Sequence, residues 1–471
     1  MNSPGVGQMA GHEGDGLRVG AASVEITPPI GTHLAGDVGG YRPARSVEDE
    51  ILATSLMLES HGKVVCIISA DLTIISGDFS RRVREMAKDE LGLDPDAVMV
   101  HATQSHSAPA IGSFILSDGF RLPEEFDWLH GSEREYSSWA TERMEEAVRR
   151  SYDELKPAEI GWGRGIEGRM AFNRRAVMRD GTVSMPGRMW TDPLGPTGIL
   201  HLEGPIDPEV GVVCFRGTSV DLPSMIVSYT CHPVHVFPKP IVSADWPGSL
   251  RRGLKRSYGC TCTPMVLNGC CGNINPWPPY DPNYVESHAR MGEVLSRTAT
   301  RVIDRIEFDD GIELGWRSRK IGLPIREIDE GELREAEELL ERQPEPVWTE
   351  GKGGVDPRWV MAAGLIDLNS LRSSSTSYEY EIQAFRIGQI AVVGLPGEPF
   401  VEGQLRIKER SPADLTIVAH DTGHYAGYLP TREAYPRGGH ETRTGNWSRF
   451  APGSLERVVD EVIDILEEMF R

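Results

Sequence analysis

The chain lacks the features that mark exported, membrane-spanning and nucleic-acid-binding proteins. Its first residues, MNSPGVGQMAGHEGDG, have no cationic start and no apolar run of signal-peptide length, and a run of about 18 apolar residues occurs nowhere. Basic residues are scarce, since 49 Lys and Arg stand against 70 Asp and Glu for a net charge of −21. Contacts to nucleic-acid phosphates or to anionic lipid need a basic face. We therefore expect a protein that neither binds nucleic acid nor associates stably with membranes.

Cysteine is scarce as well. Seven cysteines in 471 residues are an odd number, which fits reduced thiols in the cytoplasm better than a disulfide framework. Cys260, Cys262, Cys270 and Cys271 are close enough in the sequence to raise a thiolate metal site. Residues 263–268 between them have the pattern of a buried strand, and neighbouring residues of an extended chain point to opposite sides. We therefore predict that these cysteines are small apolar core residues.

The common short signatures of catalysis and nucleotide binding are missing too. There is no G-x-S-x-G elbow, no H-E-x-x-H pair and no Walker loop. The segment GWGRGIEG (161–168) contains G-x-G, but it follows a weak strand pattern and has no matching acidic residue downstream. Hydride chemistry on a dinucleotide is therefore not predicted.

What is present indicates a folded α/β protein. Hydrophobic residues make up 39% of the chain and charged residues 25%, as in ordinary globular proteins. Residues 51–60 and 63–71 predict a β-hairpin, followed by a helix over 80–91 and a strand over 97–102. Apolar residues at i, i+3 and i+4 spacing predict a final amphipathic helix over 455–470. This mixture of strands and helices predicts the α/β class.

The composition also suggests how the chain is divided. The Gly-rich, polar residues 1–16 predict a flexible tail, and residues 17–471 form one predicted domain. A highly charged helix over 330–343 precedes a stretch from 344 to 377 that is rich in Pro, Gly and Ser. We interpret residues 326–376 as a surface insertion.

Histidines and a carboxylate follow three of the predicted strands. His101 and His106 come after one strand, His232 and His235 after a second, and Glu398 after a third, in a Pro-Gly turn that leads into a helix. Reactive side chains collect at the carboxyl ends of strands in open α/β sheets. Imidazole and carboxylate together suit a borderline cation such as Zn²⁺. The pattern therefore predicts a metal site.

Several phrases give the chain a resemblance to a known family. Six segments stand in the order found in the catalytic domain of neutral ceramidases, namely ATQSHSAP, FNRR, SYTCHPV, NGCCGNINP, LPGEPFVE and YAGYLPTREAY. Neutral ceramidases are zinc amidases that hydrolyse the N-acyl bond of sphingolipids. The resemblance runs from residue 19 to about residue 441. It implies an α/β domain of mixed β-sheets flanked by helices, without the C-terminal immunoglobulin-like domain of full-length ceramidases.

The resemblance also implies a set of metal ligands. His232, Glu398 and Tyr428 match three zinc ligands of the family, and Gln104 stands where the family has its remaining ligand, a histidine. His106 matches a second histidine of that segment, which lines the active site. Zinc is therefore the expected cofactor.

Catalytic and substrate-binding residues are implied in the same way. Arg174 matches an arginine that faces the substrate, Asn275 stands where the family has its nucleophilic serine, and His440 replaces a tyrosine. We expect these three residues and His106 to be catalytic. Asparagine has no hydroxyl group, so attack by metal-activated water is the mechanism that remains. The residues expected to contact substrate are His101, His235, Asn273, Trp277 and Tyr425.

The sequence thus predicts a cytoplasmic, metal-dependent hydrolase that cleaves the amide bond of a small soluble N-acyl substrate. Two alternatives remain. Because the amide of Gln104 is a poorer zinc ligand than imidazole, the chain could be a pseudoenzyme that is metal-free or binds metal weakly and that binds a small ligand. A carbohydrate-active hydrolase could instead use Asp71 and Glu433 as its acid and base.

Overall fold

The computed structural model describes residues 16–185, 198–217, 224–279, 281, 284, 285 and 287–471. The expected flexible tail therefore falls outside the described residues, apart from its last position. None of the described helices is both long enough and apolar enough to cross a lipid bilayer.

The described residues form helices and strands in alternation. The α-helices are α1 (Gly77–Leu91), α2 (Arg134–Asp153), α3 (Asp245–Tyr258), α4 (His288–Ile303), α5 (Glu330–Arg342), α6 (Pro357–Ser374), α7 (Val401–Arg410) and α8 (Ser454–Met469). The strands are β1 (Arg18–Glu25), β2 (Ser46–Val47), β3 (Leu52–Ser60), β4 (Lys63–Ala70), β5 (Val98–Ala102), β6 (Lys156–Ile166), β7 (Phe172–Asn173), β8 (Ala176–Met178), β9 (Val183–Ser184), β10 (Ile199–Leu202), β11 (Glu209–Gly217), β12 (Ser224–Tyr229), β13 (Ile241–Val242), β14 (Thr263–Asn268), β15 (Ile274–Asn275), β16 (Leu314–Pro324), β17 (Ser377–Ile387), β18 (Ile390–Gly394), β19 (Glu398–Pro399), β20 (Leu415–Ala419) and β21 (Tyr428–Leu429).

Two mixed sheets form the centre of the molecule. The larger has eight strands in the order β14-β12-β11-β6-β1-β3-β4-β5, and the smaller has the order β16-β17-β18-β20. Most neighbouring strands are antiparallel, but β4 and β5, β12 and β14, and β18 and β20 are parallel pairs. This arrangement confirms the predicted α/β class with mixed sheets.

The sheets pack face to face, and helices cover their outer faces. One apolar cluster joins residues of both sheets, for example Phe215 and Ile226 of the larger with Phe385 and Val392 of the smaller. Further clusters join the larger sheet to α1 and α2 and to α3 and α4, and the smaller sheet to α7 and α8. Burial of apolar surface on both faces of each sheet thus produces four layers, helix, sheet, sheet and helix.

The predicted local elements agree well with the described ones. The hairpin of β3 and β4, helix α1, strand β5 and the amphipathic helix α8 all lie where the sequence places them. Cys262, Cys270 and Cys271 are buried and Cys260 is exposed, and all seven cysteines are free thiols. The interpretation of the cysteines as core residues therefore holds for three of these four.

Residues 326–376 contain a helix that the sequence analysis did not predict. Helix α5 is mostly exposed, but α6 buries one side, with Trp359 in the same apolar cluster as Tyr428. Its start has a clear signal, since the Asp356 carboxylate accepts a hydrogen bond from the backbone N–H of Arg358 and Pro357 occupies the first helical position. The Pro, Gly and Ser content of this stretch hid that signal.

Asp71 has a structural role at the end of β4. Its Oδ1 accepts a hydrogen bond of 2.8 Å from Nη1 of Arg251 in α3, and its Oδ2 accepts one of 2.9 Å from the backbone N–H of Leu52. The carboxylate is completely buried, whereas Glu433 is exposed. The structure therefore does not support the alternative in which these two carboxylates act on a glycosidic bond.

We expect Asp71→Asn to lose about 3–5 kcal/mol of unfolding free energy, because the guanidinium of Arg251 stays buried without its counter-ion. Urea unfolding followed by circular dichroism measures this loss. Glu433→Gln is the control, and its unfolding free energy should stay within about 0.5 kcal/mol of the wild type. A stable Asp71→Asn protein that has lost a hydrolytic activity would contradict this assignment.

Candidate active site

His232 lies in the loop after β12 and is completely buried. Its Nδ1 is 3.0 Å from the carbonyl oxygen of Ile274, and its Nε2 is 3.1 Å from Oε2 of Glu398. A carbonyl only accepts hydrogen bonds, so Nδ1 carries the proton and Nε2 presents its lone pair to the carboxylate. Burial and the charge of Arg174 lower the pKa of His232, which favours the neutral ring.

Glu398 stands opposite Tyr428 in a short pair of parallel strands, β19 and β21. Gly397 makes the approach possible, because it has a φ of +69° and a Cβ there would lie 2.3 Å from the carbonyl oxygen of Gly427. The second carboxylate oxygen, Oε1, accepts a hydrogen bond of 3.0 Å from the Tyr425 hydroxyl. Tyr425 thus contacts the predicted metal ligand directly.

His106 faces His232, with ring centroids 5.5 Å apart. Its Nδ1 lies 3.0 Å from the carbonyl oxygen of Gly36, so this ring also keeps its proton on Nδ1 and its lone pair on Nε2. Burial and the nearby His232 lower the pKa of His106 to about 3, and the ring is neutral at pH 7.

Arg174 joins two other predicted site residues. Its Nη2 donates to the hydroxyl oxygen of Tyr428 at 3.1 Å, and its Nη1 donates to Oδ1 of Asn275 at 3.3 Å. The guanidinium is 7% exposed. Two N–H groups of Arg174 therefore donate to protein side chains, although the resemblance predicts that this arginine faces the substrate.

Glu441 is a site residue that the sequence analysis missed. Its Oε1 accepts a hydrogen bond of 2.7 Å from Nε of Arg174, and its Oε2 accepts one of 2.7 Å from Nη1 of Arg175. A signal was present, because two adjacent arginines in a mostly buried segment need a carboxylate partner, and Glu441 follows the predicted residue His440.

Asp421 was also missed. It is 1% exposed and its φ is +42°, and among the described residues neither of its carboxylate oxygens has a hydrogen-bond partner. Burial and the charge of Glu398 raise its pKa well above the usual range, which favours the protonated form. Nothing in the local sequence distinguishes it from the carboxylates of surface loops.

Gln104 is buried two residues after the end of β5 and has a φ of +65°. Its Oε1 is the only atom of the side chain that could bind a cation, and it accepts a weak hydrogen bond of 3.4 Å from the Cys271 thiol. The same thiol lies 3.8 Å from Nε2 of His420. The amide oxygen is therefore directed at Cys271.

Three residues expected to contact substrate have structural partners. Both ring nitrogens of His101 bond to backbone groups, at 2.6 Å to the oxygen of His420 and at 3.2 Å to the N–H of Asn268. Oδ1 of Asn273 accepts a hydrogen bond of 3.0 Å from the backbone N–H of Val401, and its Nδ2 donates one of 2.9 Å to Oε2 of Glu402. In a separate contact, Nδ1 of His235 lies 2.7 Å from Oδ1 of Asp245.

A groove of about 1280 Å³ opens beside these residues, lined by α5, α6, β9 and residues 435–444. Two of its lining residues contact the site. The ring of His440 packs edge-on against Tyr428 at 5.6 Å, and Sδ of Met185 lies 3.9 Å from Nδ2 of Asn275. Trp277 is half-buried in the loop after β15 and is not among the residues that line this groove.

The donor atoms fit one cation in part. His232 donates Nδ1–H to a backbone carbonyl, which is how metal-binding histidines are usually held. Within the described ranges, no three His, Cys, Asp or Glu side chains come close enough to form a metal site by themselves. A cation held by His232 and Glu398 would need the oxygen of the adjacent Tyr428, and this mixed set suits Zn²⁺.

Comparisons with known proteins identify the fold. No family profile matches this chain, and no curated protein sequence does. A neutral ceramidase from Pseudomonas aeruginosa superposes with a TM-score of 0.71 at 18% identity, covering 97% of this chain and 75% of that one. A ceramidase complexed with C2 superposes with a TM-score of 0.71 at 17% identity, covering 96% and 75%. The chain therefore has the fold of the neutral ceramidases.

Proposed function

We propose that the chain is a metal-dependent hydrolase that cleaves the amide bond of a small soluble N-acyl substrate. The observation that carries the proposal is the contact of 3.1 Å between Nε2 of His232 and Oε2 of Glu398. A lone pair that faces a carboxylate in a buried place needs a proton or a cation between the two atoms. The fold shared with ceramidases supports the choice of an amide bond.

The proposed metal is Zn²⁺, held by His232, Glu398 and Tyr428. When bound, the ion supplies Lewis acidity, which polarises a carbonyl and lowers the pKa of water to about 7. Tyr425 holds the carboxylate of Glu398 in place by its hydrogen bond of 3.0 Å. Burial and the charge of Glu398 raise the pKa of Tyr428 well above its usual range, and the hydrogen bond of 3.1 Å from Arg174 opposes this shift.

The protein's own groups supply the remaining chemistry. Water adds to the amide carbonyl and gives its proton to Nε2 of His106, whose Nδ1 is committed to Gly36. Nδ2 of Asn275 donates a hydrogen bond to the oxygen of the carbonyl as it becomes negative. His106 then returns the proton to the leaving nitrogen, the C–N bond breaks, and a carboxylic acid and an amine are released.

The groove supports a polar substrate. Charged side chains form much of its wall, including Arg326, Glu335, Arg342, Asp356 and Arg443. The net charge of −21 opposes binding to anionic lipid. Seven free thiols support a reducing compartment, so we keep the cytoplasm as the proposed location.

A metal-free protein that binds a small ligand is the second candidate. It is favoured by Gln104, whose amide oxygen faces the Cys271 thiol and does not replace the missing imidazole. Metal content separates the two candidates.

We expect wild-type protein expressed with added zinc to contain about one equivalent of the metal, and His232→Ala to retain less than about a tenth. Elemental analysis measures the content. Chelation should also lower the melting temperature of the wild type, because the bound ion stabilises the folded state. His201→Ala removes an exposed histidine and is the control that should keep the metal. Wild-type protein that lacks every transition metal would favour the ligand-binding alternative.

We expect kcat/KM for short N-acyl amino alcohols or N-acyl amino sugars to exceed that for a fluorescent long-chain ceramide by at least about tenfold. Charged side chains stand along the groove wall, and covering them with a long acyl chain would leave them without polar partners. Both substrates are assayed in the same detergent micelles, so that their presentation is matched. Equal rates for the two substrates would disprove the proposed preference.

A further inference from the structure

The carboxylate of Glu441 holds two neighbouring arginines behind the candidate site. It accepts hydrogen bonds of 2.7 Å from both Arg174 and Arg175, and the exposed fractions of the three residues are 1%, 7% and 0%. Two buried guanidinium groups repel each other unless a negative charge lies between them. Burial by itself would raise the pKa of Glu441, but the two arginines lower it to about 2, so the carboxylate stays charged.

Arg174 transmits this constraint to Asn275. A guanidinium only donates hydrogen bonds, so the amide atom 3.3 Å from its Nη1 must be the oxygen Oδ1. The other amide atom, Nδ2, lies 3.9 Å from Sδ of Met185, which lines the groove and is 39% exposed. The amide N–H donors therefore face the side from which a substrate enters.

We propose that Glu441 is a positioning residue, which acts through Arg174 to aim the Nδ2 amide of Asn275 at the carbonyl oxygen of the substrate. This inference rests on the proposed amide hydrolysis. A donor aimed at an oxygen that becomes negative is typically worth about 10²–10³ in rate. The contact with Arg175 fixes the second carboxylate oxygen, so Glu441 cannot rotate away from Arg174.

The coupling between Glu441 and Asn275 distinguishes positioning from a purely structural role. If Glu441 acts through Asn275, its removal matters little once the amide is gone, because residues that act as a unit are strongly non-additive. If Glu441 only stabilises the fold, the two losses multiply. Stability alone would not show this difference.

The kinetic test compares Glu441→Gln, Asn275→Ala and the double variant on a short N-acyl amino alcohol. We expect each single variant to lose about 10²-fold in kcat with KM within about threefold of the wild type. The double variant should lie within about threefold of the slower single variant. A loss near the product of the two single losses would overturn the inference.

Glu203→Gln is the matched control. Glu203 binds the outer side of Arg175 and also Arg437, but it does not contact Arg174. Its kcat should stay within about threefold of the wild type. A loss as large as that of Glu441→Gln would mean that the whole ion-pair cluster, not the orientation of Asn275, sets the rate.

A crystal structure of Glu441→Gln tests the inference without any activity. We expect Nη1 of Arg174 to move beyond about 3.5 Å from Oδ1 of Asn275, outside hydrogen-bond range. If the variant does not fold, Glu441→Asp keeps the charge on a shorter side chain and should show a smaller displacement and an intermediate kcat. An unmoved Arg174 overturns the positioning role. Wild-type protein that hydrolyses no amide, together with a displaced Arg174, refutes the proposed function alone.

Discussion

The candidate site depends on two atoms that would repel each other if nothing lay between them. Nε2 of His232 and Oε2 of Glu398 are 3.1 Å apart in the interior, and the Ile274 carbonyl holds the ring proton on the other nitrogen. Protonating Nε2 would create a buried charged ring, which burial and the charge of Arg174 disfavour. A cation held by both His232 and Glu398 would remove this conflict. The contact therefore gives the chemistry assigned to the neighbouring groups its physical basis.

The two atoms come from different sheets, and the packing of these sheets against each other holds the atoms close. His232 follows β12 of the larger sheet, and Glu398 follows β18 of the smaller one. The apolar cluster that joins the two sheets fixes the distance between the strand ends. Short bridges across this junction, such as the hydrogen bond from the N–H of His420 to the oxygen of Asn268, strengthen the connection. A site that both sheets build can be rigid although its residues lie on loops.

The sequence predicts the elements better than it predicts the partners of individual side chains. Strand patterns place His106, His232 and Glu398 at strand ends, and the structure brings these three together. The same patterns cannot distinguish His106 from His101, because both lie near the end of one strand, and only the fold shows that backbone groups occupy both nitrogens of His101. Glu441 was missed although two adjacent arginines and its place directly after His440 gave a signal. Its importance comes from two arginines more than 260 residues away in the sequence.

Because residue 275 is an asparagine, this position in the site has no hydroxyl group that could serve as a nucleophile. A serine hydroxyl can act as a nucleophile, whereas an amide side chain can only bind and polarise a carbonyl group. In the proposed hydrolysis the attacking group is therefore water, which is a weak nucleophile at neutral pH and needs both a base and a source of positive charge. The neutral ring of His106 is suited to be the base, and the pairing of His232 with Glu398 can hold the charge. Under the proposed function, asparagine at position 275 thus makes a bound cation more important, because no hydroxyl nucleophile is available there.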